Sequence, residues 1–178
     1  MRKFVFLFSL VLSGLIASSF IPAEEEFKGN VRWYTFEEAV EANKKVKKKF
    51  MVDIYTDWCG WCKRMDANTF EKEDISAYLN DNFYPVKLDA EMKADVLFKG
   101  HTFNFIPNAG RRGVHTLAYS LLDGKMSYPS IVFLDEKVDR IMVSKGYKGP
   151  EDFMKELKFT SEEHYKETNL ATYKAKAR

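Results

Sequence analysis

Two cysteines, Cys59 and Cys62, are separated by two residues in TDWCGWCKRM (56–65), and the chain has no others. Such a pair could ligate a metal, staple the chain or cycle between dithiol and disulfide. Zinc takes four protein ligands, or three plus water. The other candidate ligands, His101, His115 and His164, share no ligand spacing and read as surface or loop residues. Haem attachment needs a histidine directly after the second cysteine, where Lys63 stands. A bond across so short a gap closes almost no loop, so it would gain little as a staple. Redox cycling is the reading with most support.

The surroundings of the pair favour reactivity. An apolar run, FMVDIY (50–55), reads as a buried central strand, and the cysteines follow it where a helix begins. A helix N-terminus carries unpaired N–H groups and the positive end of the dipole, which favour thiolate over thiol. Cys59 is therefore the expected nucleophile. Cys62, one turn on, is the expected resolving thiol, and Lys63 and Arg64 add local positive charge. Trp58 and Trp61, beside the nucleophile, read as a docking platform for substrate.

The elements around this segment alternate. Val31 to Tyr34 is a short strand candidate. Thr35 opens a T-F-E-E capping box with Glu38, and a helix is expected from Phe36 to about Lys45. A helix over 73–80 and a strand over 83–89 (FYPVKLD) follow, with Pro85 placing that strand at an edge. Residues 90–113 are an aromatic insertion in which HTFNF (101–105) alternates polar and apolar. Val114 to Leu122 reads as helix, SIVFLD (130–135) and 140–147 as strands. Pro150 opens a last helix with an apolar face at Phe153, Met154 and Leu157.

The whole chain sets further bounds. It has 178 residues, 46% of them hydrophobic, enough for one domain with a substantial core. With 28 basic and 26 acidic residues it has no electrostatic footprint for nucleic acid. Arg2 and Lys3, the apolar run from Phe4 to Ile16 and the small residues after it predict a signal peptide over 1–23. The run is short for a membrane span, which needs about 20 residues. Export would place the cysteines in an oxidising compartment, most simply the periplasm. Residues 30–160 are expected to form the domain and 161–178 a polar helical extension or tail.

Together these residues resemble the thioredoxin superfamily, and within it secreted thioredoxin-like proteins with a D-W-C-G-W-C-K motif. The resemblance covers about residues 31–160. It implies an α/β thioredoxin-like fold: a central mixed β-sheet flanked by helices, here with an insertion before the cis-proline helix. It implies that Asp53 is a buried acid serving as general base for Cys62 through water, and that Lys87 pairs with it. Tyr128-Pro129 would be the cis-proline loop facing the disulfide, and Gly146 would line the substrate groove. Gly60-Trp61 between the cysteines departs from the Gly-Pro of ordinary thioredoxin, and the 90–113 connection is longer than usual. Strong oxidases of the superfamily tend to place a histidine beside the second cysteine, and Trp61 supplies no such charge. A reductase of protein disulfides follows, without cofactor or metal, monomeric and supplied with electrons by a membrane-borne or soluble thiol donor. An oxidase or isomerase with the same chemistry, and a binding module with an idle CxxC, are the alternatives.

Overall fold

A computed structural model describes residues 30–176; the signal-peptide expectation for 1–23 lies outside the described residues. The first helix, α1 (Phe36–Lys45), starts as its sequence dictates. The Thr35 hydroxyl accepts from the Glu38 N–H and the Glu38 carboxylate accepts from the Thr35 N–H. Strand β1 (Lys49–Tyr55) leads into α2 (Gly60–Met65), which continues as one π-helical turn, Asp66–Phe70. Helix α3 (Glu73–Asn82) and strand β2 (Phe83–Asp89) follow. The insertion forms two small antiparallel pairs: β3 (Val96–Phe98) with β4 (His101–Phe103), and β5 (Phe105–Ile106) with β6 (Val114–His115). Helix α4 (Thr116–Leu121), strands β7 (Ser130–Leu134) and β8 (Arg140–Lys145), and helices α5 (Pro150–Ser161) and α6 (Leu170–Lys176) complete the chain.

The main sheet has the order β2-β1-β7-β8. β1 runs parallel to β2 and antiparallel to β7, and β7 is antiparallel to β8. This is the mixed α/β thioredoxin-like sheet that the sequence predicts. Pro85 lies on edge strand β2, where its missing donor breaks no ladder within the sheet. Strand parity divides the core. Phe50, Val52 and Ile54 join Val86, Leu88, Val132 and α1 and α4 on one face. Met51 joins Phe83, Ile131, Phe133 and side chains of α2, α3 and α5 on the other. Asp53 and Lys87 alternate onto this second face, the one that carries the helix with the cysteines.

Several expectations need correction. Val31–Tyr34 is not a strand; only Tyr34 makes an isolated bridge, with Val86. The helix expected from Val114 begins at Thr116, because Val114 and His115 pair with Ile106 and Phe105 instead. His115 is no surface residue. It is fully buried, its Nδ1 accepts from the Leu117 N–H at 3.3 Å to cap α4, and its Nε2 lies 3.2 Å from the Ala94 carbonyl. Burial lowers its pKa, so it is neutral at pH 7. The tail folds back as a 3-10 turn (His164–Lys166) and α6, held where Lys174 meets Asp152 and Glu156 at 2.8 and 2.7 Å and Tyr173 packs on Phe159. Among the described residues no helix is long and apolar enough to cross a membrane.

Candidate active site

Strand β1 ends at Tyr55, and four residues later Cys59 is the N-cap of α2. Its N–H donates to the Thr56 carbonyl at 3.0 Å, which closes the turn. Its Sγ accepts from the Cys62 N–H at 3.1 Å, in the place a capping oxygen normally takes. An acceptor there gains from negative charge, so the cap geometry favours a thiolate at Cys59 in the reduced protein. Cys59 and Cys62 form a disulfide, with Cα atoms 5.3 Å apart. Cys59 is 5% exposed and Cys62 2%, so both are buried and Cys59 is the more exposed residue.

Behind the pair lies a charged cluster. Asp53, 1% exposed, accepts from the Lys87 ammonium through Oδ2 at 2.7 Å. Its Oδ1 is buried with no hydrogen-bond partner. Burial disfavours its charged form and pushes its pKa up to about 6, although Lys87 works against this. Lys87 also pairs with Asp66 at the end of α2. Burial pushes the lysine's pKa down, the two carboxylates more than offset this, and it stays protonated. Its ammonium also sits 4.8 Å from the ring centres of Trp33 and Tyr55 and 5.5 Å from that of Phe70. Asp66 ties the cluster to the cysteines, because its backbone N–H donates to the Cys62 carbonyl.

The rim is formed by later segments. The Tyr128-Pro129 peptide is cis. It precedes β7, whose Ser130 is opposite Ile54, so it lies at the end of β1 from which the cysteine turn departs. The Pro129 carbonyl accepts from the Gly146 N–H at 2.8 Å, and Gly146 has φ +80°, a conformation L side chains rarely adopt. Trp58 and Trp61 are 52% and 56% exposed. Trp58 meets Tyr128 edge-on at 5.9 Å and donates from its indole N–H to the Glu91 carboxylate at 3.0 Å. Trp61 leans on Tyr147 at 5.6 Å, with the Arg64 guanidinium 5.3 Å from its ring centre. Burial, with Glu91 and Asp89 nearby, pushes the Tyr128 phenol up to about 12, so it stays neutral.

The structure thus gathers the nine residues singled out from the sequence around the ends of β1 and β7. Cys59, Cys62, Asp53 and Lys87 form the centre. Trp58, Trp61, Tyr128, Pro129 and Gly146 form the rim. Sequence reasoning missed Asp66, Glu91, Arg112 and Tyr147. Only Asp66 left a local signal: it lies one helical turn after Cys62. Arg112, whose guanidinium is 5.5 Å from the Trp58 ring centre, comes from the insertion.

The sheet, the cysteine turn at the end of β1 and the cis-proline before β7 define a thioredoxin-superfamily protein. The family described as "Thioredox_DsbH: Protein of unknown function, DUF255" matches residues 16–162, and the chain belongs to it. A solved structure described as "DsbH Oxidoreductase" superposes with a TM-score of 0.53 at 19% identity, over 75% of this chain and 85% of that one. A thioredoxin from Thermus thermophilus gives 0.54 at 20%, over 72% and 85%. At these identities the likeness speaks for the fold. Among curated proteins, spermatogenesis-associated protein 20 of Rattus norvegicus is 36% identical over 67 residues, 37% of this chain and 8% of that protein. The chain therefore matches only a small part of that relative. An uncharacterized protein of Archaeoglobus fulgidus is 28% identical over 90 residues, 51% of this chain and 68% of that one. Family, fold and the Cys59–Cys62 pair together support thiol–disulfide oxidoreductase chemistry.

Proposed function

We propose that this protein is exported and reduces disulfides in other proteins. The observation that carries the reading is a buried acid, Asp53, with a pKa of about 6 and a free oxygen, on the sheet face that carries the helix capped by Cys59. At neutral pH such a group is an ionised base, matched to taking a proton from a thiol. The Cys59 thiolate attacks one sulfur of a substrate disulfide. A Cys59–substrate bond forms, and the other substrate sulfur leaves as a thiolate that picks up a proton from solvent. Asp53 then takes the Cys62 proton through a water. The Cys62 thiolate attacks Cys59 Sγ, and the second substrate sulfur departs and is protonated. Substrate gains two electrons and two protons, and the Cys59–Cys62 disulfide remains. A thiol donor, membrane-borne or soluble, restores the dithiol. Lys87 holds Asp53 in place, while Trp58, Trp61, Tyr128, Pro129 and Gly146 receive the substrate chain.

The reductive direction is supported by Trp61, which stands in the position before Cys62 and supplies no positive charge to stabilise the Cys59 thiolate. Export is supported by the signal-like pattern of residues 1–23. The reduction potential of the pair, measured against glutathione, tests the direction. Superfamily reductases lie near about −270 mV and strong oxidases near about −120 mV. A value at the oxidising end would overturn the reductase reading. Failure to reduce insulin at any potential would overturn the enzymatic one. Cell fractionation of the tagged full chain tests export, and retention in the cytoplasm would refute it.

A further inference from the structure

Beside Trp58 the insertion walls off a cleft of about 660 Å³. Its lining includes Trp58, Glu91, Arg111, Arg112, Tyr119 and Tyr128. Tyr119 and Trp58 are both about half exposed. The two arginines are presented by the loop that joins β5 to β6, and that loop has a built turn. Gly113 has φ +81°, and a Cβ there would lie 2.1 Å from Phe105 Cζ and 2.9 Å from the Ile106 carbonyl oxygen, so only glycine fits. Neither arginine has a carboxylate within ion-pair distance among the described residues. Arg112 instead lies against the Trp58 ring. The acid of this wall, Glu91, is engaged by the indole N–H of Trp58. Among the described residues the cleft therefore joins an aromatic wall to two guanidinium groups without an ion-pair partner, and Trp58 in that wall directly precedes the nucleophile.

Resting on the reductase reading, we infer that this cleft selects substrate segments that carry an aspartate or glutamate within a few residues of the attacked cysteine. A guanidinium presents a planar fork of donors that matches a carboxylate, and among the described residues neither fork is filled by one. The Tyr119 and Trp58 rings cover the apolar part of the same segment. The acid and the cysteine would engage together: the carboxylate at Arg111 and Arg112, the disulfide over Cys59.

The test uses the full reduced protein and three disulfide-linked peptides that differ in the residue flanking the cysteine: Glu, Gln or Lys. The expected kcat/KM ratio of Glu to Gln peptide is about two- to fivefold at low salt, and the Lys peptide is worse than Gln. Higher ionic strength should reduce the ratio, as for any partly exposed charge pair. In Arg111→Gln/Arg112→Gln the ratio should fall to near one. These side chains are exposed, so the fold should survive their replacement. Equal rates for the three peptides with the parent protein would overturn the inference and leave the reductase reading standing. A preference for Glu that persists in the double variant would overturn the assignment to these arginines. Reduction of none of the peptides would overturn the reductase reading, and this inference with it.

Discussion

Replacing Asp53 by Asn should make the oxidised protein more stable at neutral pH. The carboxylate is 1% exposed, and one of its oxygens has no partner. Burial raises its pKa from 3.8 to about 6. At 1.36 kcal/mol per unit, the charged form costs the native state about 3 kcal/mol. Between the two values the native state holds a proton that the unfolded chain has released, so stability falls as pH rises through this window. The full penalty is present above about pH 6, and most of it is gone by pH 4. Asn removes the charge and keeps the shape. It costs Lys87 one partner, but Asp66 still pairs with the ammonium. About 3 kcal/mol is therefore a ceiling on the gain at pH 7.5, and the gain at pH 4 should be under about 1 kcal/mol. Urea unfolding of parent and variant at both pH values measures the difference. A variant less stable than the parent at pH 7.5, or a gain equal at both pH values, would refute a desolvated charge at this site. The same substitution should slow the release of mixed disulfides, since Cys62 loses its base.

In the reduced protein, brief iodoacetamide treatment at neutral pH should label Cys59 before Cys62, as read by peptide mass mapping; preferential labelling of Cys62 would reverse their roles. Cys62→Ser should accumulate mixed disulfides with substrates, visible as adducts on a non-reducing gel, because attack proceeds and resolution cannot. Lys87→Met removes the attraction that holds Asp53 down, so the low-pH limb of the reduction rate should move up. Asp66→Asn removes a like charge and leaves Lys87 wholly to Asp53, so the same limb should move down; limbs that move together, or not at all, would remove the cluster from the proton path. Trimming residues 107–112 to a Gly-containing turn should weaken reduction of protein substrates while small disulfides are still reduced. Equal loss of both would make the loop structural.

The central elements were legible because their signals are local. The capping box fixed the start of α1 through neighbours three apart. FMVDI is buried throughout, with Tyr55 half-buried at its end, because the strand has structure on both faces. The acid within it stood out because an unsatisfied carboxylate in such a run is costly. Pro129 and Gly146 became meaningful only beside a family pattern, since nothing local ties them to a disulfide 67 residues upstream or more. The insertion could not be read in this way. HTFNF has the alternation of one strand, yet its residues belong to two. The break falls at Asn104, whose N–H donates to the Thr116 hydroxyl and whose carbonyl accepts from the Thr116 N–H, both at 2.9 Å. That partner is twelve residues away, beyond any periodicity window.

The same limit explains why the charged cluster behind the cysteines was only half visible. Asp53 and Lys87 face each other because β1 and β2 run parallel in register, which the sheet order sets. Asp66 reaches the same ammonium because α2 gives way to a π-helical turn beginning there. Such turns are rare and recur at functional sites. Here the turn begins with Asp66, which caps the cysteine helix and pairs with the lysine that steadies Asp53. A proton on Asp53 then acts on one ammonium, shared by a buried carboxylate and a half-buried one. When Asp53 takes a proton, Lys87 can shift toward Asp66, so its charge is never left without a partner. The buried base can therefore change protonation state without creating an unpaired buried cation, which would otherwise cost several kcal/mol.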